Sequence, residues 1–109
     1  MARVLCALAD LAATGAKEIT LLKEGAPYPI LVVKDAGGVR AFENLCPHAR
    51  LPLNTEADKF FDVSRTVLVC VNHGAHFDPF TGVCLRGPCK GERLRVFPVT
   101  IDADSVLIA

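Results

Sequence analysis

Two short segments carry residue types able to bind a transition metal: Cys46-Pro47-His48 and Cys70-Val71-Asn72-His73. Each sets a thiol two or three residues from an imidazole, close enough for both side chains to meet one centre from a tight loop. A thiolate is a soft ligand and an imidazole a borderline one, so each loop would offer the same mixed pair. One such pair is a weak signal. Two of them, separated by the 21 residues from Ala49 to Val69 and each placed at an expected strand end, outline a four-ligand site drawn from two loops.

The pattern Cys-x-His followed by Cys-x-x-His resembles the Rieske family of [2Fe-2S] proteins. Gly74-Ala75-His76-Phe77-Asp78, Thr81-Gly82 and Gly87-Pro88 also match, the last as the proline-bearing third loop over the cluster. The likeness runs over nearly the whole chain. It implies Cys46 and Cys70 as ligands of one iron and His48 and His73 as ligands of the other, within a single [2Fe-2S] cofactor. His76 is then not a ligand, because both irons are filled. Two ferric ions, two sulfides, two thiolates and two neutral imidazoles carry no net charge, whereas four thiolates would leave the cluster doubly negative. A neutral cluster accepts an electron more readily, which raises its potential above that of an all-cysteine centre. Gly74 is expected to adopt a φ closed to other residues, turning backbone N–H groups towards a cluster sulfur. Pro47 and Pro88 would stiffen the first and third loops.

The sequence departs from the respiratory members of that family at four places. Those members tie the two ligand loops with a disulfide whose positions are occupied here by Leu51 and Asn72. They also donate hydrogen bonds to sulfur from a Ser and a Tyr, where this chain has Ala75 and Phe77. A hydrogen bond to a charged group is worth roughly 1.5 to 3 kcal/mol, and its loss destabilises the reduced, more negative cluster. The potential is therefore expected near the low end of the Rieske range, at about −150 mV rather than about +300 mV.

Positioning such a site requires rigid elements on both sides of it. Turn signals recur between short segments rich in Val, Ile, Leu and Phe, an all-β rhythm. Strands are expected near Arg3 to Ala7, Glu18 to Lys23, Pro29 to Lys34, Val39 to Glu43, Thr66 to Cys70, Ala75 to Asp78, Arg95 to Ile101 and Ser105 to Ala109. Turns are expected at Asp35-Ala36-Gly37-Gly38, Asp78-Pro79-Phe80-Thr81-Gly82 and Asp102-Ala103-Asp104. Only Asp10 to Gly15 and Thr55 to Phe61 could hold a helical turn. Residues 44–91 contain all three histidines and four of the five cysteines, so the flanks read as scaffold and the middle as the site mounted on it. The longer interval between the motifs, Asn54 to Arg65, is expected to be a surface excursion anchored by Phe60 and Phe61, with partner docking as the alternative.

Composition narrows the function. The chain has 109 residues, fitting one domain over 1–109 with a cluster-binding part at about 44–91, and 12 basic residues balance 12 acidic ones. Charge neutrality argues against nucleic-acid and anionic-lipid partners. No window approaches the roughly 18 to 20 apolar residues of a membrane span. Val4 to Ala9 behind Arg3 is cut short by Asp10 and reads as a first edge strand rather than a secretory leader. Five cysteines cannot all pair, which favours the reducing cytoplasm. Cys6 is expected to be a small buried hydrophobe, and Cys84 and Cys89 a free-thiol pair near the cluster, a disulfide being the alternative. Arg86, Lys90, Arg93 and Arg95, opposed only by Glu92, form a basic run, read as a solvated face or as steering for an acidic partner.

No phosphate loop, Gly-x-Ser-x-Gly elbow or His-Glu-x-x-His motif occurs, and the second iron site of Rieske oxygenases is missing. The resemblance therefore implies an all-β electron carrier, a Rieske fold whose antiparallel sandwich or barrel scaffold bears a cluster-binding subdomain. It would be a soluble, monomeric ferredoxin moving single electrons from a flavin-dependent NAD(P)H reductase to a terminal, ring-hydroxylating oxygenase through transient docking. Two rivals stand beside it: a zinc module built on the same four side chains, and a subunit permanently bound to a larger oxidoreductase.

Overall fold

Ile30-Leu31-Val32-Val33 are all buried, although successive strand residues point to opposite faces. Such a run forms only where a sheet is covered on both sides. The computed structural model describes residues 3–12, 14–35, 38–47, 51–54, 59–62, 66–71, 74–87 and 89–108. In it these four residues lie in β3 (Ala26–Asp35), inside an antiparallel sheet with β2 (Ala16–Lys23), β4 (Gly38–Glu43) and β8 (Val96–Phe97), ordered β2-β3-β4-β8. Ile30, Val32, Val39 and Ala41 point to one side. There they meet Leu5, Cys6, Val106 and Ile108 from a second sheet, ordered β1-β10-β9, of β1 (Arg3–Ala7), β9 (Val99–Asp102) and β10 (Ser105–Ile108). Leu31, Val33 and Phe42 point to the other side. They share a core with Leu53, Phe60, Leu68, Phe77 and Leu94, beneath a small third sheet of β5 (Leu68–Val69), β6 (His76–Phe77) and β7 (Cys84–Arg86). The central sheet is thus half of a sandwich and, on its other face, the floor of the segment that carries the candidate ligands.

The all-β expectation holds, with informative differences at element ends. The strand expected over Arg95 to Ile101 is two strands, β8 and β9, which belong to different sheets. Pro98 sits at the break, where its missing N–H interrupts a ladder. Strand β7, bordered by turn residues, was not expected. The turn expected at Asp10 to Gly15 is a short 3-10 helix at Leu8–Leu11, opened by the Asp10 carboxylate accepting the Ala7 N–H at 3.0 Å. Of the other expected helical turn, residues 55–58 lie outside the described residues, and Phe61 instead bridges to Leu68 in antiparallel fashion. At the turn expected between β3 and β4, Asp35 pairs with Gly38, and Ala36 and Gly37 lie outside the described residues. The turn at Asp78 to Gly82 is organised by the Asp78 carboxylate, which accepts the N–H groups of Phe80 (2.7 Å) and Thr81 (3.1 Å). Among the described residues no helix is long and apolar enough to cross a membrane.

Candidate metal centre

The first loop leaves β4 beside a buried asparagine. The Asn44 N–H donates to the Pro29 carbonyl at 3.0 Å, and its side-chain oxygen accepts the Leu53 N–H at 3.0 Å. Its amide group donates to Asn54 Oδ1 at 3.1 Å, and Asn54 in turn donates to Glu18 at 3.0 Å. One buried side chain thereby holds both stems of the loop to the central sheet. Within it, the Cys46 N–H donates to the Leu51 carbonyl at 2.8 Å.

The second loop leaves β5 and repeats this closure, the Cys70 N–H donating to the Ala75 carbonyl at 2.8 Å. In both loops the cysteine N–H is thus bonded to the carbonyl five residues on. The Val71 N–H donates to the Leu53 carbonyl at 2.9 Å, joining the two loops directly. Gly74 holds the expected positive φ, at +69°, and its own N–H is directed at the Cys70 carbonyl (2.8 Å) rather than at a sulfur.

The third loop rests on the second. Gly87 has φ +111°, and a Cβ there would stand 2.9 Å from Ala75 Cα and 3.0 Å from Ala75 Cβ. Ala75 and Phe77 are fully buried and supply no hydroxyl donor. Leu51 on the first loop, Val71 on the second and Leu85 in β7 remain exposed.

Cys46, Cys70, Cys84 and Cys89 all belong to the core beneath these loops, and all five cysteines of the chain are thiols. The Cys89 thiol donates to Cys84 Sγ at 2.8 Å, and the Cys84 thiol donates to the Arg86 carbonyl at 3.3 Å. Burial pushes the Cys89 thiol up to about 12, helped by the hydrogen bond to Cys84 and by the neighbouring sulfurs of Cys84 and Cys46. Cys6 lies far from this group in the sandwich core, as expected of a small hydrophobe, and burial followed by the Asp10 charge raises its pKa.

Of the four expected ligands, Cys46 and Cys70 are fully buried in one core, on loops of matching closure. His48 and His73 lie outside the described residues, as do Ala49, Asn72 and Pro88. The donor set suits a [2Fe-2S] cluster: one buried thiol per loop, with an imidazole next but one or two in sequence. His76, expected not to be a ligand, lies in β6. The excursion is anchored as expected, with Phe60 buried and Phe61 packed against the core. Within the basic run, Arg93 donates to the Thr81 carbonyl (3.2 Å) and Arg95 to the Tyr28 hydroxyl (2.6 Å). These two flank a cleft of about 370 Å³ beside the first loop, also lined by Tyr28, Glu43, Leu45 and Pro47. Asn44 was not anticipated. Its signal was an amide side chain two residues before a ligand cysteine, too common by itself to mark a loop anchor.

A family model described as the Rieske [2Fe-2S] domain matches residues 2–98. A comparison with curated protein sequences returns no match. Among solved structures, the ferredoxin of carbazole 1,9a-dioxygenase from Nocardioides aromaticivorans IC177 is similar at 26% identity and a TM-score of 0.75, over 100% of this chain and 97% of that one. The Sphingomonas yanoikuyae B1 ferredoxin is similar at 27% identity and a TM-score of 0.72, over 99% and 97%. A chain in the complex of reduced oxygenase and oxidised ferredoxin of carbazole 1,9a-dioxygenase is similar at 25% identity and a TM-score of 0.75, over 99% and 92%. With two buried thiols on paired loops and a domain model spanning nearly all of its length, this chain belongs to the Rieske [2Fe-2S] domain family, whose cofactor is one cluster of that type.

Proposed function

We propose that this chain is a soluble Rieske-type ferredoxin, one domain over 1–109 with its cluster-binding part at about 44–91. Cys46 and Cys70 would hold one iron and His48 and His73 the other, and the bound cluster supplies one-electron exchange at a potential set by its ligands and hydrogen bonds. The chain's own residues do the rest. Asn44 and the Val71–Leu53 hydrogen bond fix the two ligand loops to each other and to the central sheet. Gly87 lets the third loop lie on Ala75, and a dry core of Leu53, Phe60, Leu68 and Phe77 backs the thiols. Exposed Leu51 and Val71, one on each of the two joined ligand loops, offer apolar surface suited to brief docking.

The observation that carries this reading is similarity to ferredoxins over nearly the full length of both chains. In this reading an electron passes from a flavin-dependent NAD(P)H reductase to a terminal, ring-hydroxylating oxygenase, in the cytoplasm, with a monomeric carrier between them. An odd number of cysteines, five, which cannot all pair within one chain, fits a reducing compartment. The test is anaerobic: the holoprotein is reduced by NADH and a flavin reductase, then mixed with oxidised Rieske oxygenases of aromatic substrates. Re-oxidation of one electron per chain within the mixing experiment supports the reading. Failure to pass electrons to any oxygenase, with the cluster intact, contradicts it.

A further inference from the structure

We propose that Cys84 and Cys89 form a reversible dithiol–disulfide couple that closes the third loop beside the cluster. Neither residue belongs to the ligand set, yet both are buried, and their sulfurs lie 2.8 Å apart. Closing that gap to a bond of about 2.05 Å takes less than about 1 Å of travel. The backbone already brings the two residues together. The Cys84 N–H donates to the Glu92 carbonyl, the Glu92 N–H to the Cys89 carbonyl and the Lys90 N–H to the Gly87 carbonyl. Cys84 to Gly87 and Cys89 to Glu92 are therefore held against each other before any covalent link forms. A lone buried cysteine is most simply a small hydrophobe, as Cys6 is. Two that face each other across one loop, aligned by a Cys89-to-Cys84-to-Arg86 hydrogen-bond relay, are placed for chemistry with each other.

The loop they span contains Gly87, which touches the backbone of Ala75 in the second ligand loop. A disulfide would hold that contact closed, whereas the dithiol leaves it to hydrogen bonds. It would also remove the Cys89 S–H, which neighbours Cys46. Hydrogen peroxide, a small uncharged species, is the oxidant. One thiol gives up its proton, its sulfur attacks the O–O bond to give a sulfenic acid, and the hydroxide released takes up that proton as water. The second sulfur then displaces that oxygen, which leaves as water with the remaining thiol proton. Two thiols and one peroxide thus become one disulfide and two waters, the sulfurs losing two electrons and the peroxide oxygens gaining them. A dithiol reductant reverses the step by exchange.

The couple needs no ferredoxin partner, so its failure and that of the electron-carrier reading are separable. The test treats the full-length holoprotein with about one equivalent of peroxide while visible absorption reports the cluster. Expected is a loss of two hydrogen masses per chain and a peptide linking Cys84 to Cys89, both reversed by a dithiol. Cys84→Ser and Cys89→Ser should each abolish the link. Should Cys84 and Cys89 remain fully alkylatable, pair with another cysteine, or link only after the cluster bleaches, the proposal is overturned.

Discussion

Replacing Gly87 by alanine tests the packing of the third loop on the second. Gly87 holds φ +111°, and the new Cβ would meet Ala75 Cα at 2.9 Å and Ala75 Cβ at 3.0 Å. Ala75 has little room to yield, because its carbonyl accepts the Cys70 N–H at 2.8 Å and moving it would drag the second ligand loop. The backbone conformation alone costs an alanine about 1–3 kcal/mol. Forcing a methyl group into a packed contact adds about 1–3 kcal/mol. Gly91→Ala separates the two contributions, since Gly91 has φ +94° with nothing within 4 Å of its Cβ position. Gly91→Ala should therefore show the backbone cost alone and Gly87→Ala roughly twice as much, about 2–6 kcal/mol in total. Urea unfolding of the two holoproteins gives the stabilities, and decay of visible absorption in a chelator gives the rate of cluster loss. Gly87→Ala should be the less stable protein and lose its cluster faster. Equal stability and equal cluster lifetime for the two variants would refute the reasoning.

Other perturbations address the ligands, the potential and the pH response. Cys46→Ser and Cys70→Ser should lose the cluster, whereas Cys84→Ser and Cys89→Ser should keep it, as read by iron content and visible absorption. A redox titration should place the midpoint near the low end of the family range, about −150 mV, because Ala75 and Phe77 offer no hydroxyl to sulfur. A clearly positive midpoint would contradict that explanation. His48→Cys or His73→Cys should lower the potential further or prevent assembly, since each adds a negative charge. For Cys6, burial holds the folded pKa above 9.0, its ordinary value. The unfolded chain therefore loses this proton first as pH rises, so the stabilisation is complete below about pH 9 and declines above it. Cys6→Ala should flatten the fall in stability measured by urea unfolding above pH 9, and an unchanged slope would argue against a buried, protonated Cys6.

Much of the architecture was legible because apolar patterning and turn chemistry act locally. Pro29 to Lys34 reads as a strand, Asp78 to Gly82 as a turn, and each occurs as such. What escaped depends on partners distant in sequence. Pro98 splits one expected strand between two sheets, a consequence of which strand each half reaches. Strand β7 forms because His76 and Phe77 offer it an edge, a fact absent from Cys84-Leu85-Arg86 itself. At the site, residue type and spacing singled out Cys46 and Cys70; both are buried in a core that also holds Cys84 and Cys89, so burial alone does not distinguish ligand from neighbour. The matching loop closures and the Asn44 anchor are hydrogen-bond geometry, which spacing alone does not encode. The Gly87–Ala75 contact was equally hidden, since any surface turn could carry the same glycine.

Pulsed electron-spin spectroscopy on the reduced protein, with histidine selectively labelled with nitrogen-15, tests the ligand set most directly. Two imidazole nitrogens coupled to the cluster spin are expected, one from His48 and one from His73. Coupling to a single nitrogen, or to none, would contradict a centre held by two thiolates and two imidazoles.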